Sequence, residues 1–259
     1  KFSKAGLKSL CHPALGLQLH SLDLSDNNIG TPGALAVLST GLMESRVASL
    51  GLARCKIGSN GCLALGSNEL PESLTALDLS GNRITRSAEV YSLTAKLDYD
   101  STGWAALCDR LLVSNVATLK LASNRLGADG AAVLAVQGMG DWFHCKLLTL
   151  DLSDNSLRSS GVVALSVKAS NTPIRQLLLG GNEISASGLA GMCDAYNYAT
   201  RLRGKMVGMD PIAVRELDLS GVMRSEEGVS THGHWQAQLA QLLDELPRLR
   251  FLTINLGRH

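Results

Sequence analysis

The sequence predicts an α/β protein in which short parallel strands alternate with helices, and three observations lead to that fold class. A pattern LxxLxLxxNxL recurs along the 259 residues. A glycine stands six residues after the asparagine position of most copies. That glycine opens an apolar stretch whose small and aliphatic residues recur at spacings of three and four, as in a helix. One such unit cannot bury its own leucines, so the copies must stack into a solenoid.

The strand half of the repeat is clearest in LLTLDLSDNSL, residues 147–157. In an extended chain the LxL triplet directs two leucines to one side and the residue between them to the other. One face of the predicted parallel sheet is therefore core, and the opposite, concave face meets solvent. The copies begin at eight positions: Leu19, Val47, Leu74, Val116, Leu147, Ile174, Val214 and Leu249.

The asparagine of the pattern turns the chain out of the strand. Its side-chain amide can satisfy backbone groups of neighbouring turns that a bending chain would leave unpaired. We call these positions the ladder, and they are Asn27, Cys55, Asn82, Asn124, Asn155, Asn182 and Val222. Cys55 is interpreted as a substitute for asparagine, and Val222 marks a weaker seventh copy.

The helical half is marked by the glycine column, which comprises Gly33, Gly61, Gly130, Gly161, Gly188 and Gly228, with Ala88 in the third repeat. The basal repeat has about 28 residues, and several repeats are longer. We predict that each insertion follows the column position, on the helical half or its return loop. The insertions contain residues 92–112, 197–211 and 230–246, and the last is predicted to form a longer amphipathic helix.

The leucine pattern, the ladder and the glycine column together resemble the ribonuclease-inhibitor-like subfamily of leucine-rich repeats. The chain is also similar to the repeat domains of Ran GTPase-activating proteins and NOD-like receptors. The resemblance covers nearly the whole chain. It implies a leucine-rich-repeat solenoid, or horseshoe, with a parallel concave sheet, convex helices and insertions. We therefore expect residues 1–259 to form a single domain with about eight strand copies.

The first residues look like the helical half of a repeat. Gly6 stands 13 residues before Leu19, the same distance as from Gly61 to Leu74. The chain also has no initiator methionine. We therefore expect a fragment of a longer chain in which both ends of the stack are unsealed.

Composition is that of a packed domain, with 45% hydrophobic residues, 18% charged residues and a formal net charge of +1. This balance offers no electrostatic case for nucleic acid as a partner. No apolar run reaches the length of a membrane span, and no signal peptide opens the sequence. The six cysteines have no paired spacing, which favours buried free thiols over disulfides. We predict a cytoplasmic protein, in which a cytoskeletal or ciliary assembly is one possible setting.

Catalytic and metal-binding motifs are absent from the sequence, including GxxxxGK[ST], HExxH and GxSxG. His232 and His234 lie in a predicted loop without a third ligand, which favours solvation over metal binding. The segment Asn124 to Leu126 is similar to the NRL segment of the Ran GTPase-activating family, where an acidic residue follows; here Gly127 follows. We predict no enzyme activity, no cofactor, no metal and no small-molecule substrate.

The function predicted from these features is a noncatalytic protein–protein interaction module, a scaffold subunit of a larger intracellular assembly. The physical reason is that a curved solenoid offers an extended surface with no arranged nucleophile, base and orienting group. The alternative is a regulator of an enzyme, either GTPase-activating or of the inhibitor type.

The aromatic residues suggest where a partner would bind. All three tryptophans and all four tyrosines lie outside the strand motifs. They either fill the core between helices or form a partner surface, since Trp and Tyr dominate interface hot spots. We predict a partner surface on the insertions, with a basic segment for steering; it comprises Trp104, Trp235, Tyr99, Trp142, Arg201, Arg203 and Lys205.

The concave face provides the alternative surface. Its central column reads Asp23, Gly51, Asp78, Lys120, Asp151, Leu178, Asp218 and Thr253. The aspartates form a broken acidic stripe, which is either a solvated face or a dock for a basic ligand. The concave alternative therefore comprises Asp23, Asp78, Lys120, Asp151 and Asp218. In ribonuclease inhibitor aromatic residues add contact area to this face, and this chain lacks them there.

Overall fold

A computed structural model describes residues 6, 19–43, 45–85, 99–140, 144–203, 213–220, 232–246 and 248–254. The chain comprises two compact units, which are Lys1–Arg125 (unit 1) and Leu126–His259 (unit 2). The single continuous domain expected from the sequence stays a prediction.

Unit 1 contains four parallel strands that pair in chain order. They are β1 (Ser21–Asp23), β2 (Ser49–Gly51), β3 (Ala76–Asp78) and β4 (Thr118–Lys120). The helices described between them are α1 (Pro32–Leu42), α2 (Gly58–Gly66) and α3 (Thr102–Val113). The middle leucines of the four strands, from Leu22 to Leu119, are in register.

Unit 2 repeats this arrangement. Its strands β5 (Thr149–Asp151), β6 (Gln176–Leu178), β7 (Glu216–Asp218) and β8 (Phe251–Thr253) are parallel and pair in chain order. Its helices are α4 (Gly127–Val133), continued by a π-helical turn (Leu134–Gly138), α5 (Arg158–Ala169), α6 (Ala186–Arg203) and α7 (His232–Glu245). The predicted α/β class with a parallel sheet is confirmed in both units.

The core consists of the strand leucines and apolar side chains of the helices. Both leucines of the LxL triplet are buried in β3, β4, β5, β6 and β7. Leu22 differs, because it is only half-buried. The reason is that β1 pairs with β2 alone among the described strands, so Leu22 is covered on one side only. The strands are short because the chain bends soon after each triplet, at residues with positive φ such as Arg54 and Asp154.

The column glycines lie inside the first helical turn, not at its start as predicted. For example, α2 begins at Gly58 and α5 begins at Arg158, each three residues before its glycine. A Cβ atom on Gly61 would lie 2.8 Å from Leu35 Cδ1 and 3.0 Å from the Gly30 carbonyl oxygen. The glycine is therefore needed where the helix approaches the preceding repeat closely.

The first insertion precedes its helix, which corrects the prediction that it follows the column position. Gly103 lies in the first turn of α3, 13 residues before Val116, and this is the standard distance from column to strand. A Cβ atom on Gly103 would overlap the Ser59 carbonyl oxygen and lie 2.8 Å from the Leu63 backbone nitrogen. Gly103 therefore fills the column in the third repeat. Ala88, which was assigned to it, lies outside the described residues.

The later insertions agree better with expectation. The second lengthens α6, which has 18 residues. The third forms α7, so the predicted longer helix is confirmed. The loop predicted around His232 and His234 is wrong, because α7 begins at His232.

Candidate protein-binding surfaces

The solvent side of the strands in unit 1 forms a shallow groove of about 290 Å³. Asp23, Gly51, Asp78 and Lys120 are neighbours across this groove, in register from β1 to β4. The remaining lining is mostly small and polar, and it includes Ser21, Ser25, Ser49, Ala76 and Thr118. In unit 2 the same register places Asp151, Leu178, Asp218 and Thr253 side by side. The predicted central column is therefore confirmed within each unit.

The aspartates of this column have a local structural role. Each accepts a hydrogen bond on Oδ1 from the backbone N–H two residues later, where the strand ends. The N···O distances are 2.9 Å for Asp23 and Ser25, 2.9 Å for Asp78 and Ser80, 3.0 Å for Asp151 and Ser153, and 2.8 Å for Asp218 and Ser220. Such Asx turns satisfy a backbone donor and favour the bend. The acidic stripe is thus accounted for by the turns, without a ligand.

Hydrogen bonding also explains the acidity of the first aspartate. The Ser25 hydroxyl, and then the Ser25 backbone N–H, lower the pKa of Asp23 because they favour its charged form. Nearby, Arg54 donates from Nε and Nη2 to the two carboxylate oxygens of Asp26, both at 2.6 Å. This pair lowers the pKa of Asp26. Because both side chains are more than 60% exposed, solvent and salt screen their attraction.

The ladder beneath the turns is a row of buried amides. Asn82 Oδ1 accepts from the backbone N–H of Cys55 at 2.8 Å, and Asn82 Nδ2 donates to the carbonyls of Leu52 and Leu79, both at 2.8 Å. The backbone N–H of Asn82 in turn donates to Asn124 Oδ1 at 2.8 Å. The predicted role of the ladder asparagine is confirmed. It joins the turns of successive repeats.

Cys55 reproduces part of this bonding with sulfur. Its thiol donates to the Leu24 carbonyl oxygen at 3.1 Å, and the backbone N–H of Asn27 bonds to its sulfur. Burial raises the pKa of Cys55, so the thiol keeps the proton that this bond requires. The five cysteines in the described residues are all free and buried, which confirms the prediction for them.

The predicted surface on the insertions is only partly available to a partner. Trp104 is fully buried in α3, which corrects its assignment as a partner anchor; the alternative, that the ring fills the core, is the observed one. Tyr99 is 42% exposed and Arg201 is exposed. Trp235 and Arg203 lie in α7 and α6. Trp142 and Lys205 lie outside the described residues, so their assignment stays a prediction.

One exposed group on the second insertion was not assigned from the sequence. Tyr198, Arg201 and Leu202 have the spacing i, i+3, i+4 and so share one face of α6. Tyr198 is 66% exposed and Leu202 is 40% exposed. We call these three residues the α6 patch. The helical spacing is visible in the sequence, but the exposure of this face depends on how α6 packs on α5 and α7.

A second group, on the turns of unit 1, was also missed. Lys56, Arg83 and Arg125 each follow a ladder residue, are exposed, and have positive φ. We call them the turn ridge. The sequence shows a cation after the ladder residue in three successive copies, but their alignment depends on the stacking of the turns.

Two searches of the described part of the chain found no candidate sites. No group of three or more His, Cys, Asp or Glu side chains could hold a metal ion there. No described helix is long and apolar enough to cross a membrane.

Comparison with known proteins agrees with the repeat pattern. A family model described as a leucine-rich repeat matches residues 19–38, 71–87 and 143–166. Ribonuclease inhibitor from Sus scrofa is 29% identical over 231 residues, covering 87% of this chain and 44% of the inhibitor. NACHT, LRR and PYD domains-containing protein 3 from Macaca mulatta and from Homo sapiens is 30% identical over 198 residues. That match covers 68% of this chain and 19% or 18% of the relative.

The chain thus spans less than half the length of each of these curated relatives. A chain in a crystal structure of the Rad7 and Elc1 complex in yeast is also similar, with 17% identity and a TM-score of 0.39. That match covers 90% of this chain and 64% of the yeast one.

Proposed function

Because this chain carries leucine-rich repeats homologous to those of ribonuclease inhibitor and of the NACHT, LRR and PYD protein, we propose that it is a noncatalytic protein-interaction module. In this proposal it acts as a scaffold subunit of a larger cytoplasmic assembly, with a cytoskeletal or ciliary setting as one form. The observation that carries the proposal is the α6 patch. It presents an aromatic ring, a guanidinium and an aliphatic side chain on one exposed helix face.

The composition of the α6 patch suits protein recognition. Tyr and Arg are enriched among the residues that dominate binding energy, and truncating such a residue typically costs about 2 kcal/mol or more. Tyr198 offers a large area with few rotatable bonds, so ordering it on binding costs little entropy. Residues of the same insertion, Arg203 and Lys205, add positive charge nearby in sequence and would steer an acidic partner.

The strand face contributes less to binding in this proposal. Its column consists largely of short side chains, and four of its carboxylates are already hydrogen-bonded to turns. An exposed charge pair made with such a group contributes only about 0 to 1 kcal/mol. Lys120 is the one long cation in the column of unit 1, and it is exposed.

Catalysis by the described cysteines is disfavoured in the same proposal. Burial raises the pKa of Cys193 to about 11 and raises the pKa values of Cys62 and Cys108 as well. A thiol is a nucleophile only when it is ionised, so these groups are inert near neutral pH.

A second candidate function is regulation of an enzyme. The observation that favours it is the match to ribonuclease inhibitor, a protein named for inhibiting an enzyme, which covers 87% of this chain. An inhibitor-type or GTPase-activating regulator would use the same surfaces as a scaffold. It differs in that a captured partner would change its own catalytic rate when the chain is added.

The test is affinity purification from cells followed by mass spectrometry with three variants. The α6 variant carries Tyr198→Ala, Arg201→Ala and Leu202→Ala. The strand-face variant carries Asp23→Asn, Asp78→Asn, Asp151→Asn and Asp218→Asn, which removes charge but keeps an oxygen that accepts the turn hydrogen bond. The matched control truncates three other exposed side chains, Val113→Ala, Val136→Ala and Val167→Ala. Circular dichroism first establishes that all three are folded.

The expected result is that the α6 variant loses partners that the other two retain. If the strand-face variant loses them and the α6 variant keeps them, the binding surface is the strand face. Capture of no partner by the unmodified chain contradicts the interaction-module proposal. A rate assay on each captured enzyme then separates the regulator from the scaffold.

A further inference from the structure

The turn ridge of unit 1 is a row of three cations that the described structure leaves without counter-ions. Lys56, Arg83 and Arg125 occupy the same place in three successive repeats, and each is exposed. Among the described residues none of them forms an ion pair, whereas Arg54, two positions before Lys56, is paired with Asp26. The ridge is therefore a patch of positive charge that is open to a partner.

The ladder holds these three residues in register. The backbone N–H of Cys55 donates to Asn82 Oδ1, and that of Asn82 donates to Asn124 Oδ1, both at 2.8 Å. Each ridge residue directly follows one of these three ladder residues. Neighbouring repeats in a parallel sheet are about 4.8 Å apart, so the three side chains leave the backbone at steps of roughly 5 Å. The cations form a line, not a scattered set.

The fold itself does not require cations at these positions. In unit 2 the equivalent residues are Ser156 and Glu183, with φ values of 55° and 54°, close to the 59°, 52° and 56° of Lys56, Arg83 and Arg125. Left-handed backbone disfavours long side chains and is occupied most easily by Gly, Asn or Asp. Like charges on adjacent repeats also repel each other. Three cations in this line thus oppose stability, and binding is a use that accounts for them.

We propose that the turn ridge binds an acidic segment of a partner protein, laid across the turns of successive repeats. This inference rests on the proposed function, to which it adds a surface and the chemistry of the partner. Carboxylates on a flexible extended chain can match cations about 5 Å apart, because successive residues advance by about 3.3 Å and side chains adjust the remainder. A nucleic acid fits less well, since phosphate binding usually draws on six to ten contacts and this chain has a net charge of only +1.

The experiment measures fluorescence anisotropy of a fluorescein-labelled peptide of eight glutamates with the purified 259-residue chain at low salt. The test variant carries Lys56→Glu, Arg83→Glu and Arg125→Glu; Glu183 shows that glutamate is compatible with this backbone conformation. The control variant has the same net charge and carries Arg46→Glu, Arg175→Glu and Arg250→Glu, at exposed positions away from the ridge. Each chain is also titrated with an octalysine peptide and with an eight-nucleotide single-stranded DNA.

We expect the unmodified chain to bind the glutamate peptide, the ridge variant to bind it at least about ten-fold more weakly, and the control variant to stay within about three-fold. The ridge variant should also gain affinity for octalysine, which a folding defect cannot produce. Equal losses in the two variants overturn the proposal, because net charge alone would then explain the binding. Tighter binding of the DNA than of the glutamate peptide, lost in the ridge variant, also overturns it in favour of a nucleic-acid site. Absence of glutamate-peptide binding by the unmodified chain overturns the ridge and leaves the interaction module to be judged by its own captured partners.

Discussion

The ladders of the two units make the same hydrogen bonds, while the turns above them carry different charges. Asn82 in unit 1 and Asn182 in unit 2 each accept from backbone N–H groups of the preceding repeat and donate to two leucine carbonyls. One residue later the units differ, because unit 1 has the cations of the turn ridge and unit 2 has Ser156 and Glu183.

The difference separates positions set by the fold from positions open to function. A buried ladder residue must satisfy specific backbone groups, since an unpaired buried amide or carbonyl is costly. Even the substitution at Cys55 retains a donor to the same kind of carbonyl. The exposed residue that follows has no such obligation, so its chemistry can serve a partner.

The largest effect is expected from removing a ladder amide in unit 2. Asn182→Ala leaves the backbone N–H groups of Asn155 and Leu157 and the carbonyls of Leu152 and Leu179 without this partner. We expect the free energy of unfolding to fall by about 3 to 5 kcal/mol, measured by urea denaturation. A loss below about 1 kcal/mol would show that water or repacking satisfies these groups.

Cys55 in unit 1 provides the matched comparison for this prediction. Because its sulfur is a weaker donor and acceptor than an amide, Cys55→Ala should cost only about 1 to 2 kcal/mol. Cys55→Asn should be close to neutral if the position can accept an amide. A larger cost for Asn than for Ala would mean that the first repeats of unit 1 are shaped around sulfur.

Truncation of strand leucines should affect the two units equally. Leu77 in β3 and Leu150 in β5 are both buried, so each change to Ala should cost about 2 to 5 kcal/mol through lost apolar contacts and a cavity. Leu63→Ala is the control, because that side chain is 41% exposed. Thermal unfolding checks the result. A melting temperature of the Leu150→Ala chain that matches the unmodified protein would contradict the core assignment.

Methyl groups added to the glycine column should separate the units. Gly103→Ala in unit 1 places a Cβ against the backbone of Ser59 and Leu63, which cannot move aside easily, so we expect a loss of about 2 to 3 kcal/mol. Gly188→Ala in unit 2 meets mainly side-chain atoms, Ser159 Oγ at 2.6 Å and Ile184 Cγ2 at 2.9 Å, and should cost less. Chemical denaturation of both variants tests this order; the reverse order would show that α3 shifts more freely than its contacts indicate.

The smallest effect is expected at the strand-end turns, where the substitution separates charge from hydrogen bonding. Asp23→Ala should cost less than about 1 kcal/mol at pH 7, and Asp23→Asn less again, because its amide oxygen still accepts from Ser25. The pKa of Asp23 is lowered in the folded chain, so its contribution is present above its unfolded pKa, near 4, and is lost as the pH falls through the folded value. Urea denaturation from pH 7 to pH 2.5 should therefore bring the unmodified and Asp23→Ala chains together at the acid end. A gap that widens towards low pH would contradict this sign.

The sequence by itself determined the repeat, the buried leucines, the ladder and the register of the strands. These features follow from local rules, because the alternation of side chains along a strand and the bonding capacity of asparagine are the same in every copy. Leu77 and Leu150 were thus assigned to the core, and Cys55 to the ladder, from spacing alone.

Only the tertiary structure decided what lies next to what across the repeats. Gly103 takes the column position because the backbone of α2 passes too close for a side chain, and no spacing rule spans an insertion of that length. Trp104 is buried in α3, and Lys56, Arg83 and Arg125 align, because neighbouring helices and turns stack. The burial of a ring and the summed field of three cations depend on contacts between residues that are far apart in the chain. Local pattern does not contain them.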